Sequence, residues 1–90
     1  MRIRDIDWPP GIREKIEQKH GLEPEQVEQA VVGRETYIRR ARQHRYIVFG
    51  RAADGAYIVA VVVYERGIAR IISARQMTRA EQRTFERRGK

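Results

Sequence analysis

The sequence predicts an α+β fold: a small, mainly antiparallel β-sheet of about four strands, with two helices before it and one after it. Three observations carry this. Two strand-like runs, residues 57–64 and 68–75, are joined only by Glu65-Arg66-Gly67, a turn short enough to pair them antiparallel. Asp54-Gly55 turns an earlier run, residues 46–49, onto the first of them in the same way. Helical spacing appears only in the first third of the chain and at its end. No linker, repeat or low-complexity segment divides the 90 residues, so residues 1–90 read as one domain.

In chain order, residues 3–8 carry Ile3, Ile6 and Trp8 and read as a short strand or extended lead-in, stopped by Pro9-Pro10. A helix follows over about 10–20, with Ile12 and Ile16 on one face and Gly21 as its stop. Leu22-Glu23-Pro24 opens a second helix, since proline in the first turn gives up an N–H that has no helical partner there. Val27, Ala30 and Val31 supply its apolar face, Leu22 is spaced to staple onto Val27, and Gly33 ends it. Two short strands are expected over 36–39 and 46–49, on either side of the basic run 39–45; Tyr46-Ile47-Val48-Phe49 is the surer, being β-branched or aromatic throughout.

The run Tyr57-Ile58-Val59-Ala60-Val61-Val62-Val63-Tyr64 has no polar alternation, so both of its side-chain rows need cover, as in an interior strand. Its neighbour differs. Regular alternation puts Ile68, Arg70, Ile72 and Ala74 on one face and Ala69, Ile71, Ser73 and Arg75 on the other, with an arginine in each row. Burying both rows would desolvate a guanidinium, so one face is expected to stay open. The last helix, 78 to about 88, contains only Ala80 and Phe85 as apolar residues, but Thr78-Arg79-Ala80-Glu81 writes a capping box at its start. It should sit loosely on the sheet and be available to a partner.

Composition narrows the function. With no cysteine, disulfides, thiolate metal sites and a cysteine nucleophile are excluded, and two histidines do not make a typical zinc site; no metal or cofactor is expected. The N-terminus has no apolar leader-like stretch and the longest apolar run is eight residues, which points to the cytoplasm and away from a membrane. The net charge of +7 is uneven: residues 1–33 and 52–65 each sum to −2, whereas 34–51 sum to +5 and 66–90 to +6. If the two basic segments share a sheet, they form one cationic surface, suited to nucleic acid or to an acidic protein.

Arg70-Ile71-Ile72-Ser73-Ala74-Arg75, followed by Thr78, Arg79, Glu81 and Arg83, resembles the R-I-I-S-A-R and T-R-x-E-x-R signature of the BrnT family of toxins. Lys19-His20-Gly21 after a short helix headed by Trp8, and the hairpin over 50–64, fit the same family. Two positions depart from it: Pro9 stands where an aspartate usually follows the tryptophan, and Ile16 where an asparagine often precedes K-H-G. The resemblance implies a RelE-like fold and a metal-free endoribonuclease of a type II toxin-antitoxin pair, acting on single-stranded RNA or mRNA. It also implies a ribbon-helix-helix antitoxin as partner, in a hetero-oligomer with the toxin.

RNA carries its own nucleophile, the 2′-hydroxyl, so such an enzyme needs cations around the phosphate and groups that move protons. Arg70 and Arg75 lead as phosphate-binding candidates, the alternative being an ion pair with a rim carboxylate; Arg79 lies beside the strand's end, its alternative being a solvated charged helix face. His20 and Glu81 are the proton-transfer candidates, although a helix-end role for His20 and the capping box for Glu81 already account for their positions. Arg45, Ser73, Arg83, Lys19 and His44 are candidate RNA contacts, and the tyrosines at 46, 57 and 64 are stacking platforms or core residues. A non-catalytic RNA- or ribosome-binding module and a protein-interaction domain remain the alternatives. The nuclease reading expects these guanidinium groups to converge on an uncovered sheet face.

Overall fold

A computed structural model describes residues 1–88. Its element order is β1 (Asp5–Asp7), α1 (Ile12–His20), α2 (Pro24–Val32), β2 (Tyr37–Arg40), β3 (Arg45–Arg51), β4 (Tyr57–Glu65), β5 (Ile68–Gln76) and α3 (Arg79–Arg88). The strands form one five-stranded sheet in the order β1-β5-β4-β3-β2, antiparallel except where β1 runs parallel to β5. The fold is therefore the expected α+β type, with one strand more than four because the lead-in pairs as β1. It reaches β5 only at Ile68, Ala69 and Arg70, so the rest of that strand's outer edge has no strand beside it.

Local signals explain the elements. α1 ends where Gly21 takes a left-handed conformation (φ 67°) and donates its N–H to the Glu17 carbonyl at 2.9 Å. α2 starts at Pro24 behind a reciprocal cap between Glu23 and Gln26, with Leu22 and Val27 both buried in the cluster below it. The β4–β5 hairpin closes through Arg66 (φ 52°) and Gly67 (φ 84°), both left-handed as a two-residue turn demands. Trp8 donates its indole N–H to Glu28 at 2.7 Å, tying the lead-in to α2.

α1 and α2 cover one face of the sheet. Beneath them lies the main core, in which Leu22, Val27, Val48, Ile58, Val62 and Ile71 are fully buried; each such side chain contributes about 1.5–3 kcal/mol. Ile16, at the departure from the BrnT pattern, is one of these core residues. α2 lies so close to β3 that a Cβ at Gly50 would stand 2.2 Å from the Ala30 carbonyl oxygen. Gly50→Ala must therefore push backbone away from backbone, and is expected to lower stability by about 3 kcal/mol; a denaturant midpoint equal to wild type would show that the helix can back off freely. A smaller cluster, Phe49, Val59, Met77 and Phe85, lies on the opposite face under α3.

The alternation expected for β5 is overturned. The register steps from Val62–Ile71 to Val61–Ser73, leaving Ile72 as an extra residue. That β-bulge shifts the phase of the pleat by one position. Ala69, Ile71 and Ala74 thus all enter the main core, and Arg70, Ser73 and Arg75 all project from the opposite face. The two arginines do not lie on opposite faces; the bulge keeps a guanidinium out of the core on either side of it.

Candidate functional site

Following the pairings across the sheet shows what this opposite face carries. One row reads Asp7, Arg70, Val63, Arg45; the next Ser73, Val61, Ile47, Arg39; the third Arg75, Val59, Phe49, Tyr37. Side chains of paired residues share a face, so arginines from three strands point the same way. α3 covers chiefly the third row, through buried Phe85 and its edge-to-face contact with Tyr57 at 6.1 Å, with Ile47 of the middle row packing against the edge of the same cluster. Tyr57 also donates its hydroxyl to Glu86, and that bond holds the phenol above its usual range. The middle row lies open, with Ile47 and Val61 half-buried.

Over that row sits a cleft of about 260 Å³ lined by His20, Arg39, Ile47, Phe49, Val59, Val61, Ser73, Ala74, Arg75 and Glu81. His20 comes from the far end of α1, beside the part of β5 that no strand covers. Arg75 is held by Glu81 through both terminal nitrogens, Nη1 to Oε1 at 2.8 Å and Nη2 to Oε2 at 2.9 Å, and Nη1 also reaches the Gln76 carbonyl at 3.1 Å. Of the five guanidinium N–H groups, the Nε–H and one Nη2–H have no acceptor among the described residues. They form the edge that can grip two oxygens of a phosphate.

Glu81 anchors this arrangement to the helix start. Its Oε1 also accepts the Thr78 backbone N–H at 2.8 Å, while Thr78 Oγ1 accepts the Glu81 N–H at 3.2 Å, completing the capping box. The Arg75 fork, and after it the Thr78 N–H, bring the Glu81 carboxyl down to about 2 against an opposing push from partial burial. Arg75 is raised in turn by the same pair. A carboxylate that releases its proton so readily is a weak base, so its geometry suits holding Arg75 better than taking a proton.

A pH dependence follows. Because the folded value is depressed, the stability Glu81 contributes is complete above its ordinary value of 4.5 and is lost as pH falls toward about 2. With side-chain exposures of 45% for Arg75 and 26% for Glu81, solvent screening limits the contribution to about 1 kcal/mol. Glu81→Gln should thus melt below wild type at pH 7 and converge with it near pH 2; a gap that persists in acid would assign the loss to the cap instead of the charge.

The other candidates are distributed differently. Arg70 lies on the same face but one row away, donating from Nε to Asp7 at 3.1 Å with both side chains half exposed. The two signature arginines therefore each hold their own acid instead of converging on one point. Arg79 and Arg83 are exposed on α3 and do not line the cleft. Arg45 begins β3 at the Arg70 end of the face, and His44 occupies the β2–β3 turn in a left-handed conformation (φ 61°). Lys19 lines an adjoining cleft with His20. Tyr46 and Tyr64 pack edge to face at 6.0 Å on the helix side, away from the open row. Arg39 is the residue sequence reasoning left without a role. Its only signal was membership of the basic run, and its place opposite Ser73 depends on the register of three strand pairs.

Among the described residues no group of three or more His, Asp or Glu side chains is placed to hold a metal ion, and no helix is long and apolar enough to cross a membrane.

Comparison with known proteins agrees with the signature. Residues 8–81 match the family model described as "Ribonuclease toxin, BrnT, of type II toxin-antitoxin system". Among solved structures, the Brucella abortus ribonuclease toxin BrnT superposes with a TM-score of 0.67 at 18% identity, over 83% of this chain and 97% of that one. At that identity the likeness speaks for the fold. No curated protein sequence matches.

Proposed function

The chain belongs to the BrnT family of ribonuclease toxins of type II toxin-antitoxin systems, and from that premise we propose that it cleaves single-stranded RNA without a metal, at the cleft where His20, Ser73 and Arg75 meet. The 2′-hydroxyl attacks the adjacent phosphorus and the bond to the 5′-oxygen breaks, leaving a 2′,3′-cyclic phosphate and a 5′-hydroxyl. Negative charge builds on the non-bridging oxygens, and Arg75 offers its free Nε and Nη2 edge to them. Ser73, exposed beside it, adds a hydroxyl donor. His20 exchanges protons with the 2′- and 5′-oxygens. Glu81 works through Arg75, fixing its plane. Arg70 and Arg45 lie one row along the face, where they would hold the strand's continuing backbone.

The observation that carries this reading is a guanidinium clamped by a carboxylate with its second edge turned free, in a cleft that also contains an imidazole. A fixed donor needs no reorganisation when charge develops, which is why such donors dominate the stabilisation. The test is incubation of end-labelled RNA with the purified chain in EDTA. Fragments ending in 2′,3′-cyclic phosphate are expected, and a His20→Ala chain should lose them. Intact RNA retained in a complex would instead make the protein a binding module, and no RNA binding at moderate salt would make it a protein-interaction domain.

A type II toxin implies an antitoxin. In our reading this partner is of the ribbon-helix-helix type and covers the signature strand and α3, whose outer side presents Arg79, Arg83 and Arg87 to solvent. Covering the cleft and screening these charges in one contact would silence the enzyme in the cytoplasm. Arg79→Glu combined with Arg83→Glu should weaken the complex at least tenfold by isothermal titration; unchanged affinity would move the interface elsewhere.

A further inference from the structure

The cleft does not end at His20. A second cleft of about 160 Å³, lined by Lys15, Lys19, His20, Ile72, Ser73 and Ala74 among others, shares His20, Ser73 and Ala74 with the first. The two clefts adjoin at these shared residues, one over the face of the sheet from β2 to β5 and the other at the edge of β5, and together they mark a path we treat as one channel. That edge is free because β1 stops pairing at Arg70. From β2 to β5 the path spans three strand spacings, about 14 Å. Cations mark both ends: Arg39 at the β2 end, and Lys15 and Lys19, four residues apart on one side of α1, at the other. All three are exposed, and none is in an ion pair among the described residues. Between them the floor is aliphatic, Ile47 and Val61, and the one carboxylate lining the channel, Glu81, is taken up by Arg75.

Resting on the nuclease reading above, we infer that the RNA crosses the strands along this channel, with Arg39 binding a phosphate on one side of the cleavage point and Lys15 with Lys19 binding a phosphate on the other. A cation at each end, an apolar floor of Ile47 and Val61 running from Arg39 toward β5, and the reactive groups between that floor and the lysines match the repeat of a polynucleotide: charge at each linkage, an apolar base face between. An acidic peptide would present no such apolar plate, and a duplex keeps its base faces stacked inside, where the floor cannot reach them. Arg39 and the lysines are therefore binding groups that set the length of strand recognised, and they do not touch the reacting phosphorus.

The test uses the full chain and a 2′-O-methyl RNA hexamer, which cannot be cut, with affinity measured from 50 to 200 mM salt. Each lost phosphate contact should reduce the slope of log affinity against log salt by about 0.7. Arg39→Gln is expected to show one such step, Lys15→Gln with Lys19→Gln a further one, and Arg2→Gln, away from the channel, none. On a cleavable substrate Arg39→Gln should raise KM and leave kcat nearly unchanged. If wild type binds and cuts RNA but these variants keep its slope and KM, the channel is wrong and the nuclease reading stands. If wild type neither binds nor cuts, the nuclease reading itself falls.

Discussion

Arg75→Ala is expected to lower kcat for RNA cleavage in EDTA by about 10²–10³-fold, the usual consequence of removing one prearranged donor from a developing oxyanion. Ground-state affinity should fall much less, because Arg39, Arg45 and the α1 lysines still meet the backbone. The substitution does two things at once, since it also strands Glu81, whose carboxylate loses both guanidinium hydrogen bonds. Arg75→Lys separates them. Lysine keeps the charge beside Glu81 but has no second edge, so most of the rate should still be lost while melting stays near wild type. Single-turnover cleavage measured alongside thermal melting decides the matter; full activity in Arg75→Lys would reduce Arg75 to a structural ion pair.

The second large effect concerns Phe85. It is buried to 4% exposure against Phe49, Val59 and Met77, and is the one buried residue of α3. Phe85→Ala should cost α3 its attachment, a loss of about 3–5 kcal/mol for a phenylalanine truncated in a packed site. A ten-residue helix of this composition does not hold itself together in water. The helix-side core is built from other residues on the other face, so the expected result is local: α3 amides lose hydrogen-exchange protection while β4 amides retain theirs. Activity should fall as well, because the turn that carries Glu81 to Arg75 goes with the helix. Loss of protection throughout would mean that the two clusters fold as a single unit.

Much of the fold was legible because its signals are local. Gly21, the Leu22-Glu23-Pro24 start, Asp54-Gly55 and Arg66-Gly67 each dictate a backbone conformation within a few residues, and the structure has a stop, a cap or a turn at each. The capping box at Thr78 and Glu81 was equally plain. The site was less legible because it is made of registers. Nothing in Ile71-Ile72-Ser73 announces an extra residue, since the pleat phase depends on the partner strand. Arg39 comes into line with Ser73 only by way of Ile47 and Val61, on the two strands between them. His20 carried two readings from its position at a helix end, and its neighbourhood with Arg75 follows from where β1 stops. Glu81 was read as a helix cap or a base, whereas the same carboxylate closes the helix start and clamps the guanidinium of Arg75, six residues before it.

The extra residue in β5 makes this strand sensitive to length in an asymmetric way. Excising Ile72 would yield an ordinary strand in which serine, alanine and the second arginine still point where they do now. Ironing out the distortion without shortening the chain would swing Arg75 inward among aliphatic side chains and turn Ala74 to water. Homologous strands one residue shorter can therefore present the same chemical surface, while an equal-length strand forced into perfect pairing cannot.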